Sequence, residues 1–382
     1  MKHQWVWITA FLAANPAHGQ SSVTLYRLID QGLNYTSNAQ GKAAYQMKSG
    51  DVTGSRWGLK GSEDLGGGYR AVLQLDGGFN ASSGTPGQGG REFGRQAYVG
   101  ISSDRYGTVT LGRQYDPTTD PNGYAAPTVA DNWGGDVGAH PFDNDNSDWD
   151  FRLNNAVKYV SPSYRGLIVE GMYAFSNQAG GFSNNSAWSA ALNYQNGGLT
   201  LAASYLKLNN PGAGTTGAEA IDTLFSASSE QNYGVSVTYR FSSNLAAFMY
   251  SHVDVYNPTA NSYFTSNAGP DGGTWNSWKF DKLEINDQYF FRSNFWLGCG
   301  YTFTDARLAS SVGGFIPRWQ QVTLMLDYDV TRQTSLYMQG EAQHVVSAHT
   351  GTDFDYADNP AAAAMSSGEN QLIYRIDVVH HF

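Results

Sequence analysis

The stretch FGRQAYVGISSDRYGTVTLGRQYD, Phe93 to Asp116, decides how the rest of the chain is read. It has the pattern of two strands reversed at Asp104-Arg105-Tyr106-Gly107, with an arginine near the outer end of each, Arg95 and Arg113. Neither strand has a uniformly apolar face. The fold must therefore provide a place for guanidinium groups as well as for Val99, Ile101 and Leu111.

Other segments show the same period of two more plainly. In NYGVSVTYRF, Tyr233, Val235, Val237, Tyr239 and Phe241 share one side, opposite Asn232, Gly234, Ser236, Thr238 and Arg240. In QVTLMLDYDV, Val322, Leu324, Leu326, Tyr328 and Val330 oppose Thr323, Asp327 and Asp329. Such alternation marks strands whose two faces meet unlike surroundings. A soluble sandwich would show it too, so the connections have to discriminate. Tight turns are read at 64–68, 104–107, 163–166, 196–198, 242–244, 292–294 and 330–333. Long polar connections are read near 37–52, 81–91, 116–150, 177–186, 209–230, 255–276, 307–317 and 347–369. Seven turns alternating with eight loops make sixteen strands, with the loop asymmetry of an outer-membrane barrel. Aromatics bracket the strands, as at Tyr233 and Phe241 or Tyr374 and Phe382, where a ring can sit at a lipid–water boundary. The final strand, YRIDVVHHF, can close on SVTLYRLIDQGLNY and remove both sheet edges. The expected fold is all-β: a sixteen-stranded antiparallel transmembrane β-barrel.

Composition agrees. The chain has 382 residues, with 44 glycines suited to many turns and 24 tyrosines, at a mean hydropathy of −0.41. A net charge of −10 excludes the basic face of a nucleic-acid binder. One cysteine, Cys299, excludes a disulfide framework and the common zinc clusters. MKHQWVWITAFLAANPAHGQ has a basic start, an apolar run and the small-residue site Ala17-His18-Gly19, so 1–19 reads as an export signal and 20–382 as the barrel. Its apolar run falls short of the roughly 20 residues of a spanning helix.

Four motifs carry a resemblance: SRWGLKGSEDLGGG (55–68), FGRQAYVGISS, GTVTLGRQYD and NNAVKYVSP (154–162). Together with the terminal Phe382 they resemble the trimeric general porins of Gram-negative bacteria, closest to the beta-proteobacterial branch. The resemblance implies a homotrimer set among outer-membrane lipid and lipopolysaccharide, passing small hydrophilic solutes by passive diffusion without a cofactor. It implies that the barrel-assembly machinery reads Phe382, and that the third loop folds into the lumen and narrows it. By motif matching, Arg56, Arg95 and Arg152 fall where the family places its lumenal arginines, with Lys60 and Arg113 nearby.

The third loop, Asp116 to Asp150, has eight aspartates and no lysine or arginine, Asp120 among them. A connection this long without regular structure is usually functional. Its centre, DNWGGD (131–136), resembles the family's loop-tip motif: Trp133, Gly134, Gly135 and Asp136 keep the pattern, while Asp131 and Asn132 depart from it. The reading sets Asp120, Asp131, Trp133 and Asp136 across the pore from the basic wall. Arginine facing lipid near the midplane would cost about 2–4 kcal/mol, so the watery side is cheaper. The acidic loop predicts a mild cation preference, opposed by the arginines. If Arg95 points inward, alternation places Ala97, Val99 and Ile101 inside and turns Gln96, Tyr98 and Gly100 outward, into a subunit interface shared with Arg27.

Other chemistries are set aside. EDLGGGYR lacks the Lys-Ser/Thr of a phosphate loop, and adjacent His380 and His381 point to opposite faces, a poor metal pair. Asp143, Asp145 and Asp148 lack the grammar of a calcium loop. No residue pattern points to an enzyme. The remaining alternatives are a substrate-specific porin and a non-conducting barrel that serves as adhesin or anchor.

Overall fold

The computed structural model describes residues 21–128, 133–149, 151–214, 216–219 and 222–382. The export signal read at 1–19 and the loop residues Asp131 and Asp150 lie outside the described residues.

The alternating segments form strands. These are β1 (Ser22–Ala39), β2 in two pieces (β2a, Lys42–Ser49; β2b, Arg56–Gly66), β3 (Tyr69–Gly78), β4 (Gln96–Ser103) and β5 (Gly107–Gln114). Then come β6 (Leu153–Val160), β7 (Leu167–Ala174), β8 (Ser186–Asn196), β9 (Leu199–Asn209) and β10 (Ser229–Phe241). The last six are β11 (Asn244–Tyr256), β12 (Trp275–Arg292), β13 (Phe295–Ser310), β14 (Arg318–Asp329), β15 (Thr334–Val346) and β16 (Asn370–His381). Consecutive strands pair antiparallel, and β16 pairs with β1 from Leu28↔His381 to Thr36↔Ile373. Both pieces of β2 lie along β1, β2a on its outer half and β2b on its start, so they form one interrupted strand. The sheet is thus a closed barrel of sixteen strands, and closure leaves no unpaired edge.

All seven tight turns fall where the sequence places them. One loop does not. The connection expected at 37–52 is mostly strand: β1 and β2a pair out to Ala39↔Lys42 around a turn at Gln40 and Gly41, both with positive φ. The irregular part, 50–55, sits on the wall instead. There the Asp30 carboxylate accepts from the backbone N–H groups of Val52 and Thr53 at 2.9 Å each, and Asp51 is fully buried.

Burial is inverted relative to a soluble protein. On β16 the buried side holds Gln371, Ile373, Arg375, Asp377 and Val379, whereas Leu372, Tyr374, Ile376 and Val378 are exposed. The apolar face is the outer one. This polarity corrects the assignment made for β4. Val99 and Ile101 are exposed at 57% and 54%, while Gly100 is buried and the Tyr98 hydroxyl donates to Gln74 on the inner side of β3. Gln96, Tyr98 and Gly100 therefore face the lumen and cannot meet another subunit. The reason is that Arg95 lies before the first strand residue, so alternation does not carry from it into β4.

The inner space is not evenly open. Phe142 of the third loop, Phe264 of the loop 257–274 and Phe354 of the loop 347–369 meet with ring centroids 4.9–5.5 Å apart. Trp278 and Trp319, inward-facing on β12 and β14, close the cluster at 5.1 Å from Phe354 and 5.5 Å from Phe142. These rings are edge-on to one another, the favoured aromatic geometry. An apolar core thus lies inside the barrel against the later strands.

Cysteines placed at positions 96 and 99 test the face assignment. A membrane-impermeant thiol reagent is expected to label position 96 through the pore and to spare position 99; the reverse pattern would restore the original parity.

Candidate functional site

Opposite that core, the ends of β2b, β4, β5 and β6 carry the basic wall. Tyr115, just past β5, accepts hydrogen bonds through its hydroxyl from Arg95 (2.7 Å) and Arg152 (2.5 Å). The Arg152 guanidinium also lies 4.6 Å above the Tyr115 ring. Arg56 donates to the Gly54 carbonyl at 3.0 Å, which fixes its stem beside the break in β2. Arg56, Arg95 and Arg152 line one cavity of about 410 Å³ together with Asp136, Asp148 and Trp149. A second cavity, about 450 Å³, is lined by Arg56, Lys60, Gln96, Tyr98, Asp120 and Lys158 among others. Both share Arg56, so the four expected cations Arg56, Lys60, Arg95 and Arg152 line one continuous wall.

Arg113 does not line either cavity. A bulge between Gly112 and Gln114 shifts the register against β6. Arg113 is buried, donating to the carbonyls of Gly94 (2.7 Å) and Arg152 (3.1 Å) and pairing with Asp222 of the loop 210–228. It ties three connections together.

The third loop is held by the wall. The Gly134 carbonyl accepts from Gln339 on β15 at 2.8 Å and from Arg375 on β16 at 3.3 Å. Asn359 donates to the Val137 carbonyl and Gln321 to the Ala139 carbonyl, both at 2.8 Å. The Asp136 N–H donates to the Asp51 carbonyl at 3.0 Å, and Arg375 pairs with the Asp51 carboxylate at 3.1 Å. An extended loop inside a barrel carries many backbone carbonyls, and each needs a donor. The wall supplies them. Gly135 has φ +54°, and a Cβ there would lie 2.3 Å from the Asp51 carbonyl oxygen, so only glycine fits. Trp133, expected in the pore lining, is 3% exposed and packs edge-on to Trp296 at 6.2 Å. It rests over Gly298, whose missing side chain makes the room: a Cβ would come within 2.7 Å of the indole.

The carboxylates of the loop are also engaged. Asp120 pairs with Lys158, which lies 3.3 Å from Glu170 as well. Asp136 lies 3.4 Å from Lys48. Further along, His140 Nδ1 is 2.9 Å and Lys282 is 3.3 Å from Asp145, with Glu284 3.4 Å from His140 Nε2. Ser251 donates to Asp145 at 2.6 Å. Asp145 is held well below the ordinary carboxylate range: burial opposes this, but His140 and Lys282 outweigh it. Burial alone would lower the His140 imidazole, yet Asp145 and Glu284 raise it from 6.5 to about 9. Arg375, Lys158, Lys282 and Lys48 were not singled out in the sequence. The parity rule finds three of them, since each sits opposite exposed apolar residues, but not what they hold.

Two outcomes follow from these anchors. His140 binds its proton more tightly folded than unfolded, so its contribution, about 3 kcal/mol for a shift of this size, is complete below pH 6.5 and disappears as pH rises through about 9. Single-channel current is expected to grow noisier between pH 8 and 10 in the parent, and His140→Gln is expected to be noisy throughout; a quiet parent at pH 10 would refute the anchor. Gly135→Ala should lift the loop tip and change unit conductance while thermal stability falls by only about 1–3 kcal/mol, the usual strain of such a position.

Comparison with known proteins agrees with this geometry. The family model described as Gram-negative porin matches residues 7–345. An outer membrane porin protein of Bordetella pertussis is 29% identical over 372 residues, covering 86% of this chain and 90% of that protein. Outer membrane porin protein 32 of Delftia acidovorans is 31% identical over 188 residues, 47% of this chain and 51% of that protein. Among solved structures, an anion-selective porin from Comamonas acidovorans superposes with a TM-score of 0.73 at 20% identity, over 95% of this chain and all of that one. The closed sixteen-stranded barrel, its watery inner face and the family match converge: the chain belongs to the Gram-negative porins, outer-membrane channels for the passive diffusion of small hydrophilic solutes.

Proposed function

We propose that this porin prefers anions and that its narrowest passage runs between the Arg56–Arg95–Arg152 wall and the third loop. The observation that carries the reading is the grouping of Arg56, Arg95 and Arg152 on one cavity, while three of the loop aspartates have a lysine or histidine beside them. Asp120, Asp136 and Asp145 each have a lysine or histidine partner, and Arg95 and Arg152 both donate to the Tyr115 hydroxyl. Arg95 lies 3.7 Å from Asp76. The aspartate count of the loop favours cations on paper; the pairing of Asp120, Asp136 and Asp145 removes part of that field from the passage. One unit charge about 4 Å away across water is worth about 1 kcal/mol, enough to concentrate a counter-ion roughly five-fold. Two or three guanidiniums on one wall multiply that factor. The wall also aligns water and dipolar solutes, which disfavours bulky uncharged ones.

The same reading takes the protein to be a homotrimer, with the outward residues of β1–β5, including Val23, Leu25, Val99 and Ile101, facing neighbouring subunits. It is supported by the trimer form of an outer membrane protein of Vibrio cholerae, a structural neighbour with a TM-score of 0.65. Phe382, 4.7 Å from the Arg27 guanidinium, is taken as the terminal residue that the assembly machinery recognises.

Reversal potential in a salt gradient tests the selectivity. The parent is expected to give the anion sign, and Arg56→Gln/Arg95→Gln/Arg152→Gln to move towards zero or cross it. A cation sign in the parent would overturn the reading.

A further inference from the structure

Two polar cavities meet along the basic wall, and among the described residues only Arg56 of β2b and Trp149 of the third loop border both. One is a cation and the other a flat ring. Arg56 uses its Nε–H on the Gly54 carbonyl at 3.0 Å, and among the described residues no carboxylate forms an ion pair with it. Arg95 and Arg152 stand beside it in the first cavity, Lys60 and Lys158 in the second.

Trp149 is held in a strained position. Its φ of +67° is left-handed, an outlier for so bulky a residue. Its N–H donates to the Asn146 carbonyl at 3.1 Å. The buried Asn146 side chain also accepts the Phe151 N–H on Oδ1 at 2.9 Å, and Phe151 is fixed in the apolar core. Strain that the surroundings enforce in this way tends to sit where a protein works on a ligand. Trp133, Trp275, Trp278 and Trp319 are buried against other rings, whereas Trp149 stays half-buried, with Tyr115 at 6.1 Å as its ring contact.

A solute moving from one cavity to the other thus passes a guanidinium on the wall and an indole on the loop. A guanidinium takes a carboxylate in a planar fork, and an indole takes a flat ring by stacking. Asp136 and Asp148 border the first cavity and Asp120 the second, so a second negative charge on the solute would be repelled.

We propose that Arg56 and Trp149 form a subsite for aromatic monocarboxylates, solutes with one carboxylate on a flat uncharged ring. The carboxylate docks on Arg56 and the ring lies against the Trp149 indole. The inference rests on the passage running along this wall, and it adds a preference among anions that charge alone does not give.

The test is concentration-dependent block of single-channel chloride current near neutral pH. It sets benzoate against cyclohexanecarboxylate, an acid of the same charge and similar size whose ring is not flat. In the parent, half-block by benzoate is expected at a concentration roughly five-fold lower. Trp149→Leu is expected to bring that ratio close to one, and Trp149→Phe to keep most of it. Taking the ratio within each protein removes any change that the substitution makes to the pore itself. Arg56→Gln is expected to weaken both acids roughly five-fold and to leave their ratio. Equal half-block by the two acids in the parent overturns the proposal without need of any variant. So does a ratio that survives Trp149→Leu, block by both acids that Arg56→Gln leaves unchanged, or stronger block by terephthalate, with its two carboxylates, than by benzoate. A parent with the anion sign but equal block keeps the anion preference and loses the subsite, whereas a cation sign in the parent removes both.

Discussion

Backbone N–H and C=O groups in hydrocarbon have no water to bond with, and most of this protein's architecture is the consequence of that. The pairing of β1 with β16 turns a sheet with two edges into a cylinder with none. Once the sheet is closed, each strand has lipid on one side and the lumen on the other. The alternating side chains are sorted accordingly, with Leu372, Tyr374 and Ile376 outside and Arg375 and Asp377 inside. The same rule governs the third loop. Its carbonyls leave the wall ladder and are met one by one by side-chain donors from β14, β15 and β16 and from the loop 347–369.

That anchoring fills one side of the barrel interior. The later strands present Trp278, Trp319, Gln339 and Arg375, and the third loop fills the space against them with Phe142, Trp133 and its own backbone. The remaining polar cavities lie along β2b to β6, next to the arginines. An acidic loop placed against a basic wall would be expected to set up opposing charges across open water. Here most of the visible opposition is local, in pairs such as Asp120 with Lys158 and Asp145 with His140 and Lys282. These pairs hold the loop; the proposed reading gives the action on solutes to the guanidiniums that meet at Tyr115.

The loop-tip motif has a structural meaning that its resemblance alone does not convey. Gly135 is required by a left-handed turn pressed onto the Asp51 carbonyl, and Trp133 by a hollow above Gly298. Asp51 itself is presented by the interruption of β2, which the sequence reads as part of an exposed loop. A break in one strand, a glycine in another and a loop motif more than eighty residues away are parts of one contact.

Period-two alternation, seven tight turns and eight long connections determine the strand count, the closure and the all-β class from the sequence by itself, because these depend on neighbours along the chain. Four of the cavity-lining cations, Arg56, Lys60, Arg95 and Arg152, follow from motif matching. What only the tertiary structure decides is what happens where alternation is interrupted. The irregular backbone at Gly94 and Arg95 reverses the expected faces of β4, and the bulge at Gly112 takes Arg113 out of the cavity lining. The partners of the third-loop carboxylates lie up to about 140 residues along the chain, as with Asp145 and Lys282. No local pattern encodes such a distance, since charge is visible in the sequence but its neutralisation depends on which strand stands opposite after the barrel has closed.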